Sequence, residues 1–71
     1  MQHSGFFFTI NGKVYKCEAS FTINSLLKYL GFKADLIALD YNGLILQKEF
    51  WSTTILTSND VIEILTVAGG G

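Results

Sequence analysis

The 71-residue chain has no proline, one cysteine, one histidine and one tryptophan, and its charges balance to a net −1. Each scarcity excludes something. A lone Cys17 closes no internal disulfide, and with His3 as the one imidazole there is no set of soft ligands for a structural zinc, so a metal site is not expected and a reducing compartment is implied. Five Lys+Arg against six Asp+Glu leave no basic run, which argues against nucleic acid as a partner. The longest apolar runs, such as Phe6-Phe7-Phe8 and Leu44-Ile45-Leu46, fall far short of the roughly 20 residues that span a bilayer, so no membrane segment is expected. Met1 to Gly5 carry no basic, apolar or Arg/Ser-rich leader pattern, so the chain is expected to act where it is made or to arrive processed. The sequence offers no nucleophile beside a histidine, no acid and base pair and no phosphate-cradling loop, so it is not expected to be an enzyme by itself.

What is present is apolar. Hydrophobic residues make up 49% of a chain long enough for one domain, residues 1–71, with a single shared core and little room for a deep pocket. Phe6 to Ile10 and Val14 to Glu18 read as strands, and Asn11-Gly12 between them suits a type I′ turn, which needs positive φ at both central positions. Period two turns Phe6, Phe8 and Ile10 inward with Tyr15 and Cys17, and sends Phe7 outward. Ile23, Leu26, Leu27 and Leu30 share one helical face, with Thr22 as N-cap and Gly31 as the left-handed stop. Leu36 to Tyr41, Asn42-Gly43 and Leu44 to Leu46 repeat the hairpin pattern. Lys48 to Trp51 has a helical or 3₁₀ character, with Phe50 and Trp51 expected to anchor it. Ser58-Asn59-Asp60 marks a turn before the strongly β-branched strand Val61 to Val67. This order predicts an α+β roll, a mixed sheet of four to five strands packed on one main helix.

The chain closes on Ala68-Gly69-Gly70-Gly71. Glycine gains nothing from packing and loses the most entropy on ordering, so residues 68–71 are expected to form a flexible tail. Fully extended, four residues reach roughly 13–14 Å, and without Cβ atoms three of them pass a channel that closes to larger residues. An α-carboxyl with a pKa of ~3.3–3.7 is ionised at neutral pH and can attack the α-phosphorus of ATP. The reactive group of such a protein is its main-chain terminus, here the Gly71 carboxylate.

Phe21 to Gly31, Ile37 to Gly43, Trp51 to Leu56 and Asp60 to Ile64 running on to Gly69-Gly70-Gly71 resemble the ThiS family of thiamine-biosynthesis sulfur carriers, which share the ubiquitin-like β-grasp fold. The resemblance maps the family's terminal Gly-Gly onto Gly70 and Gly71. It implies that an E1-like adenylyltransferase of the ThiF type, using ATP, adenylates Gly71, that a cysteine desulfurase or other sulfurtransferase system converts the adenylate to a thiocarboxylate, and that thiazole synthase, ThiG, takes the sulfur. It implies no bound cofactor, and a bacterial cytoplasm or plastid stroma as the setting. Gln47-Lys48 stands where the family often has proline and a basic residue, and Ser58-Asn59-Asp60 replaces a common Gly-Asp turn. The same chemistry also serves the MoaD-like small subunit of molybdopterin synthase or a ubiquitin-like protein modifier, and both alternatives remain open at this point, as does a plain interaction module.

Three further expectations concern particular residues. On the last strand Ile62, Ile64 and Thr66 share one face while Glu63, Leu65 and Val67 take the other, which makes Leu65, Val67 and the adjoining Gly69 candidate partner contacts, with Phe7 extending their patch. Cys17 is expected to be a buried structural thiol, since no nearby histidine or cluster of basic residues would activate it. His3 is expected to be solvated.

Overall fold

A computed structural model describes residues 5–67. Strand β1 (Phe6–Ile10) turns through Asn11-Gly12 into β2 (Lys13–Cys17), with φ of 51° and 83° at the two turn residues, as a type I′ hairpin demands. Helix α1 (Ile23–Leu30) follows. The Thr22 hydroxyl accepts from the Ser25 N–H at 3.1 Å, and Gly31 closes the helix at φ 88° with its N–H donating to the Leu27 and Lys28 carbonyls. Strand β3 (Ile37–Tyr41) turns through Asn42-Gly43 into β4 (Leu44–Ile45), again with positive φ at both residues, and β5 (Val61–Thr66) completes the fold.

The five strands lie in the order β2-β1-β5-β3-β4, with β1 and β5 parallel and the other pairs antiparallel. The last strand in sequence is therefore the middle strand in space. Its inward residues Ile62 and Ile64 meet Phe8 and Ile10 of β1, Ile37 and Leu39 of β3, and Ile23, Leu26 and Leu27 of α1 in one buried core. An eight-residue helix does not persist alone in water, so this apolar face holds α1 in place.

The structure adjusts five expectations, the first being that β2 spans Lys13–Cys17 rather than Val14 to Glu18. Leu36 belongs to a 3₁₀ turn, Ala34–Leu36, rather than to β3, although its carbonyl still accepts from the Val67 N–H at 2.8 Å. The neighbouring strands are also shorter, with β4 stopping at Ile45 and β5 at Thr66. Of the two aromatic residues expected to anchor the second 3₁₀ turn, Lys48–Phe50, Trp51 does so and Phe50 does not: the indole N–H donates to the Leu46 carbonyl at 2.9 Å and the ring is buried, whereas Phe50 is 49% exposed. The departures at Gln47 and Asn59 fit their positions. Gln47 has φ −68°, a value proline would also take, and Asn59 has φ 67°, the left-handed conformation a glycine would otherwise supply. Cys17 is buried, its thiol donating to the Ala19 carbonyl at 2.9 Å.

Candidate functional site

The candidate site is built on the end of β5 and the open face of the sheet. Along its β3 side, β5 is paired residue for residue from Ile62 opposite Tyr41 to Thr66 opposite Ile37, and the Val67 N–H extends that ladder to Leu36. Support on the β1 side is shorter, because β1 turns away at Asn11. There the Asn11 N–H donates to the Ile62 carbonyl at 2.9 Å, and the Asn11 side chain accepts from the Ile64 N–H at 2.7 Å. The chain is thus fixed on both sides to within a few residues of its terminal glycines. Gly69, Gly70 and Gly71 lie outside the described residues, as do Ala68 and His3.

Leu65 and Val67, 54% and 44% exposed, stand on and just past this fixed strand end. Leu65 lies opposite Ala38 on the open face. Phe7 is equally exposed but lies elsewhere. Thr9 is level with Val61, and the Asn59 N–H donates to the Phe7 carbonyl at 2.7 Å, so Phe7 sits at the level of Asn59 at the far end of the sheet. Six residues of strand separate that level from Leu65, roughly 20 Å. The expected continuous patch is therefore two separate ones: Leu65 and Val67 beside the tail, and Phe7 with Val14 and Val61 at the opposite end, where the Lys16 ammonium lies 5.8 Å from the Phe7 ring centroid. Parallel pairing between β1 and β5 produces the separation. An antiparallel pairing would have brought the two ends closer.

At the root of β5 the structure holds a cluster that the turn reading of Ser58-Asn59-Asp60 missed. Asp60 is only 5% exposed. Its carboxylate accepts from the Tyr41 hydroxyl at 2.6 Å, the Thr57 N–H at 2.8 Å, the Thr57 hydroxyl at 3.0 Å and the Asn42 side-chain amide at 3.0 Å. Burial pushes the Asp60 carboxyl up, but the hydrogen bonds from Tyr41, Thr57 and Asn42 together hold it below the usual carboxylate range. Tyr41 moves the other way, raised from 10.0 to about 12 by burial, by its hydrogen bond to Asp60 and by the Asp60 charge.

These shifts set a pH dependence. The stability drawn from Asp60 is present above its ordinary pKa of 3.8 and is withdrawn as pH falls through the lowered folded value. The stability drawn from neutral Tyr41 is present below pH 10.0 and is lost as pH rises toward about 12. Urea unfolding at stepped pH is expected to show a loss of at most about 2–3 kcal/mol over that alkaline interval, and the Tyr41→Phe variant, less stable at neutral pH, is expected to lose less across it. An equal alkaline slope in both proteins would assign the loss to other groups.

A five-stranded mixed sheet wrapped on one helix, with the C-terminal strand at its centre leading into a glycine terminus, defines a ubiquitin-like β-grasp domain. Within that class the chain belongs to the ThiS family, whose model matches residues 8–71. It superposes on the crystal structure of the thiamine biosynthesis protein ThiS from Geobacter metallireducens with a TM-score of 0.79 at 29% identity, covering 93% of this chain and 100% of that one. It is 39% identical over 64 residues to the uncharacterized protein ycf40 of Trieres chinensis, covering 90% of this chain and 88% of the relative. It is also 31% identical over 62 residues to a thiazole synthase of Magnetococcus marinus, covering 87% of this chain but 19% of that protein. Among the described residues no helix is long and apolar enough to cross a membrane.

Proposed function

We propose that the chain is a sulfur carrier for thiazole formation in thiamine biosynthesis, a protein substrate whose working group is the Gly71 carboxylate. A carboxylate oxygen attacks the α-phosphorus of ATP in a ThiF-type adenylyltransferase, and pyrophosphate leaves. The terminal sulfur of a protein persulfide formed by a cysteine desulfurase or other sulfurtransferase then attacks the acyl carbon and expels AMP, a thiol reductant cleaves the S–S bond of the resulting acyl disulfide, and the thiocarboxylate so released is the sulfur source for thiazole synthase. The chain contributes a rigid base and a slim end, while the cationic groups and metal that stabilise charge on the nucleotide belong to the partner.

The observation that carries this reading is the placement of β5: the strand next to the glycines is the middle strand, supported on both sides almost to its end. The family match running through residue 71 supports the same use of the terminus. The thiamine destination draws on the solved ThiS neighbour and on the Magnetococcus marinus protein, in which a segment like this chain is part of a polypeptide called a thiazole synthase. That covalent arrangement favours thiazole synthase as the acceptor over molybdopterin synthase. The ycf40 relatives, which come from algae, favour the plastid stroma.

The test is the mass of the C-terminal peptide after incubation with ATP, a ThiF-type enzyme and a sulfur donor. Exchange of one carboxylate oxygen for sulfur at Gly71 is the expected result. An unmodified peptide, under conditions in which a known carrier is converted, would remove the proposal.

A further inference from the structure

Asn11 does more than make a turn. In a parallel pair each peptide of one strand would bond alternately to the neighbour, and the step after the Asn11 N–H to Ile62 carbonyl bond calls for a main-chain acceptor for Ile64. None is available, since the chain has turned through Gly12 into β2. The Asn11 side-chain amide takes that place. Its Oδ1 accepts from the Ile64 N–H at 2.7 Å, and its Nδ2 lies 3.4 Å from the Ile64 carbonyl, so both polar groups of one peptide position are met by one side chain from 53 residues away. The second hairpin also holds β5 through its asparagine, in a different pattern: the Asn42 N–H donates to the Val61 carbonyl at 2.8 Å, the Asn42 Oδ1 accepts from the Val61 N–H at 2.7 Å, and the Asn42 Nδ2 donates to Asp60. Each Asn-Gly turn clasps one end of the middle strand.

The two clasps differ in what lies beside them. Asn42 holds the root of β5, next to the Asp60 cluster. Asn11 holds Ile64, three residues before Val67, on the side where β1 gives no further support. We propose that Asn11 is a positioning residue for the carrier reaction: by standing in for the missing peptide of β1, it keeps the end of β5 ordered before docking, so that the terminus is offered to the adenylating partner from a fixed base. This rests on the carrier reading above. A strand end that is loose in the free protein has to be ordered on binding, which weakens association without altering the chemical step.

Asn11→Gly keeps the positive φ that the turn requires and removes the clasp, because Gly-Gly is itself a suitable type I′ pair. Asn11→Asp keeps an oxygen acceptor for the Ile64 N–H. The full chain is assayed with a ThiF-type enzyme by ATP-pyrophosphate exchange, at a temperature where circular dichroism shows all three proteins folded, and amide exchange is followed by NMR. Loss of the 2.7 Å bond to the Ile64 N–H, with the long 3.4 Å contact adding little, predicts roughly a five- to tenfold lower kcat/KM for N11G, expressed in KM with kcat retained, and N11D between it and the native protein. Exchange at the Ile64 amide is expected to accelerate by a similar factor while Leu39 and Ile62 keep their protection. Unchanged kcat/KM per folded molecule, or acceleration shared equally by Ile64, Ile62 and Leu39, would overturn the positioning role. Failure of the native chain itself to support exchange would overturn the carrier reading and this role with it, so the two failures are told apart by the native control.

Discussion

Adding a single leucine after Gly71 is expected to stop adenylation, lowering AMP attachment at least about a hundredfold while leaving thermal unfolding unchanged. The argument is geometric. Attack on the α-phosphorus needs the carboxylate within near-attack distance, and misplacement by an ångström can cost about a hundredfold. One added residue moves the acid by ~3.3–3.6 Å and adds a side chain where the native terminus has none. Among the described residues the buried ones end at Ile64 and the last bonded one is Val67, so the core as described does not oppose the addition. Adenylation is read as pyrophosphate release with a ThiF-type enzyme, alongside a calorimetric scan of the same preparation. Full activity in an extended chain shown by mass to be untrimmed would mean that the carboxylate of Gly71 is not the reacting group. The same variant bears on the alternatives: a protein modifier would lose its lysine adducts, whereas a plain interaction module would keep its binding. Complementation of a thiamine auxotroph against a molybdenum-cofactor mutant separates the two sulfur destinations.

The parts of this fold that can be read from sequence are those set by short-range backbone chemistry. Both Asn-Gly pairs impose positive φ at adjacent residues, so the hairpins are visible without knowledge of what the strands pack against. Helix α1 is marked at both ends, by a hydroxyl at Thr22 and a glycine at 31, and by apolar spacing between them. Inward and outward faces follow from alternation, which is why Leu65 is identifiable as exposed. Distances along the sheet are another matter. Phe7 and Leu65 share a face, but how far apart they lie depends on β1 pairing parallel to β5 in one register, a contact between residues some 50 positions apart in the chain. Burial of Asp60 is equally non-local: Tyr41 and Asn42 come from another hairpin, and a carboxylate in a Ser-Asn-Asp turn would ordinarily be solvated. One signal was available. Tyr41 and Asn42 follow directly on an alternating apolar strand, so a polar pair at its end must find partners if it is covered. For Phe50 and Trp51 the local pattern names the turn but not which ring faces inward; the Leu46 carbonyl, which the indole N–H can reach, accompanies the burial of Trp51.

Replacing Asp60 by alanine is expected to be among the most damaging changes in the described part of the chain. It removes one acceptor group and strands four donors at once: the Tyr41 hydroxyl, the Asn42 amide, and the N–H and hydroxyl of Thr57. Buried donors left without partners cost about 1–3 kcal/mol each when water cannot reach them, and the part-exposed members of this cluster recover some of that from solvent, so a net loss of about 3 kcal/mol follows. A domain of this length has a total stability of only about 4–11 kcal/mol. The corresponding fall in Tm is roughly 12–24 °C. Asp60→Asn keeps the volume and one acceptor oxygen, so about half that loss is expected. Calorimetric scans near neutral pH compare the three proteins, and repeating them at stepped pH from 3.8 down through the lowered folded value supplies the control: the unfolded chain takes up the proton first and the native carboxylate last, so the gap between native and variant should narrow progressively over that interval. A fall of less than about 1 kcal/mol at neutral pH would show that water fills the vacated site and satisfies all four donors. A large fall that persists undiminished in acid would assign the loss to packing around residue 60 rather than to its charge. With the expected pattern, the carboxylate pins the root of β5 to two other segments of the fold, and the strand that leads to the terminal glycines owes its rigidity to a residue at its opposite end.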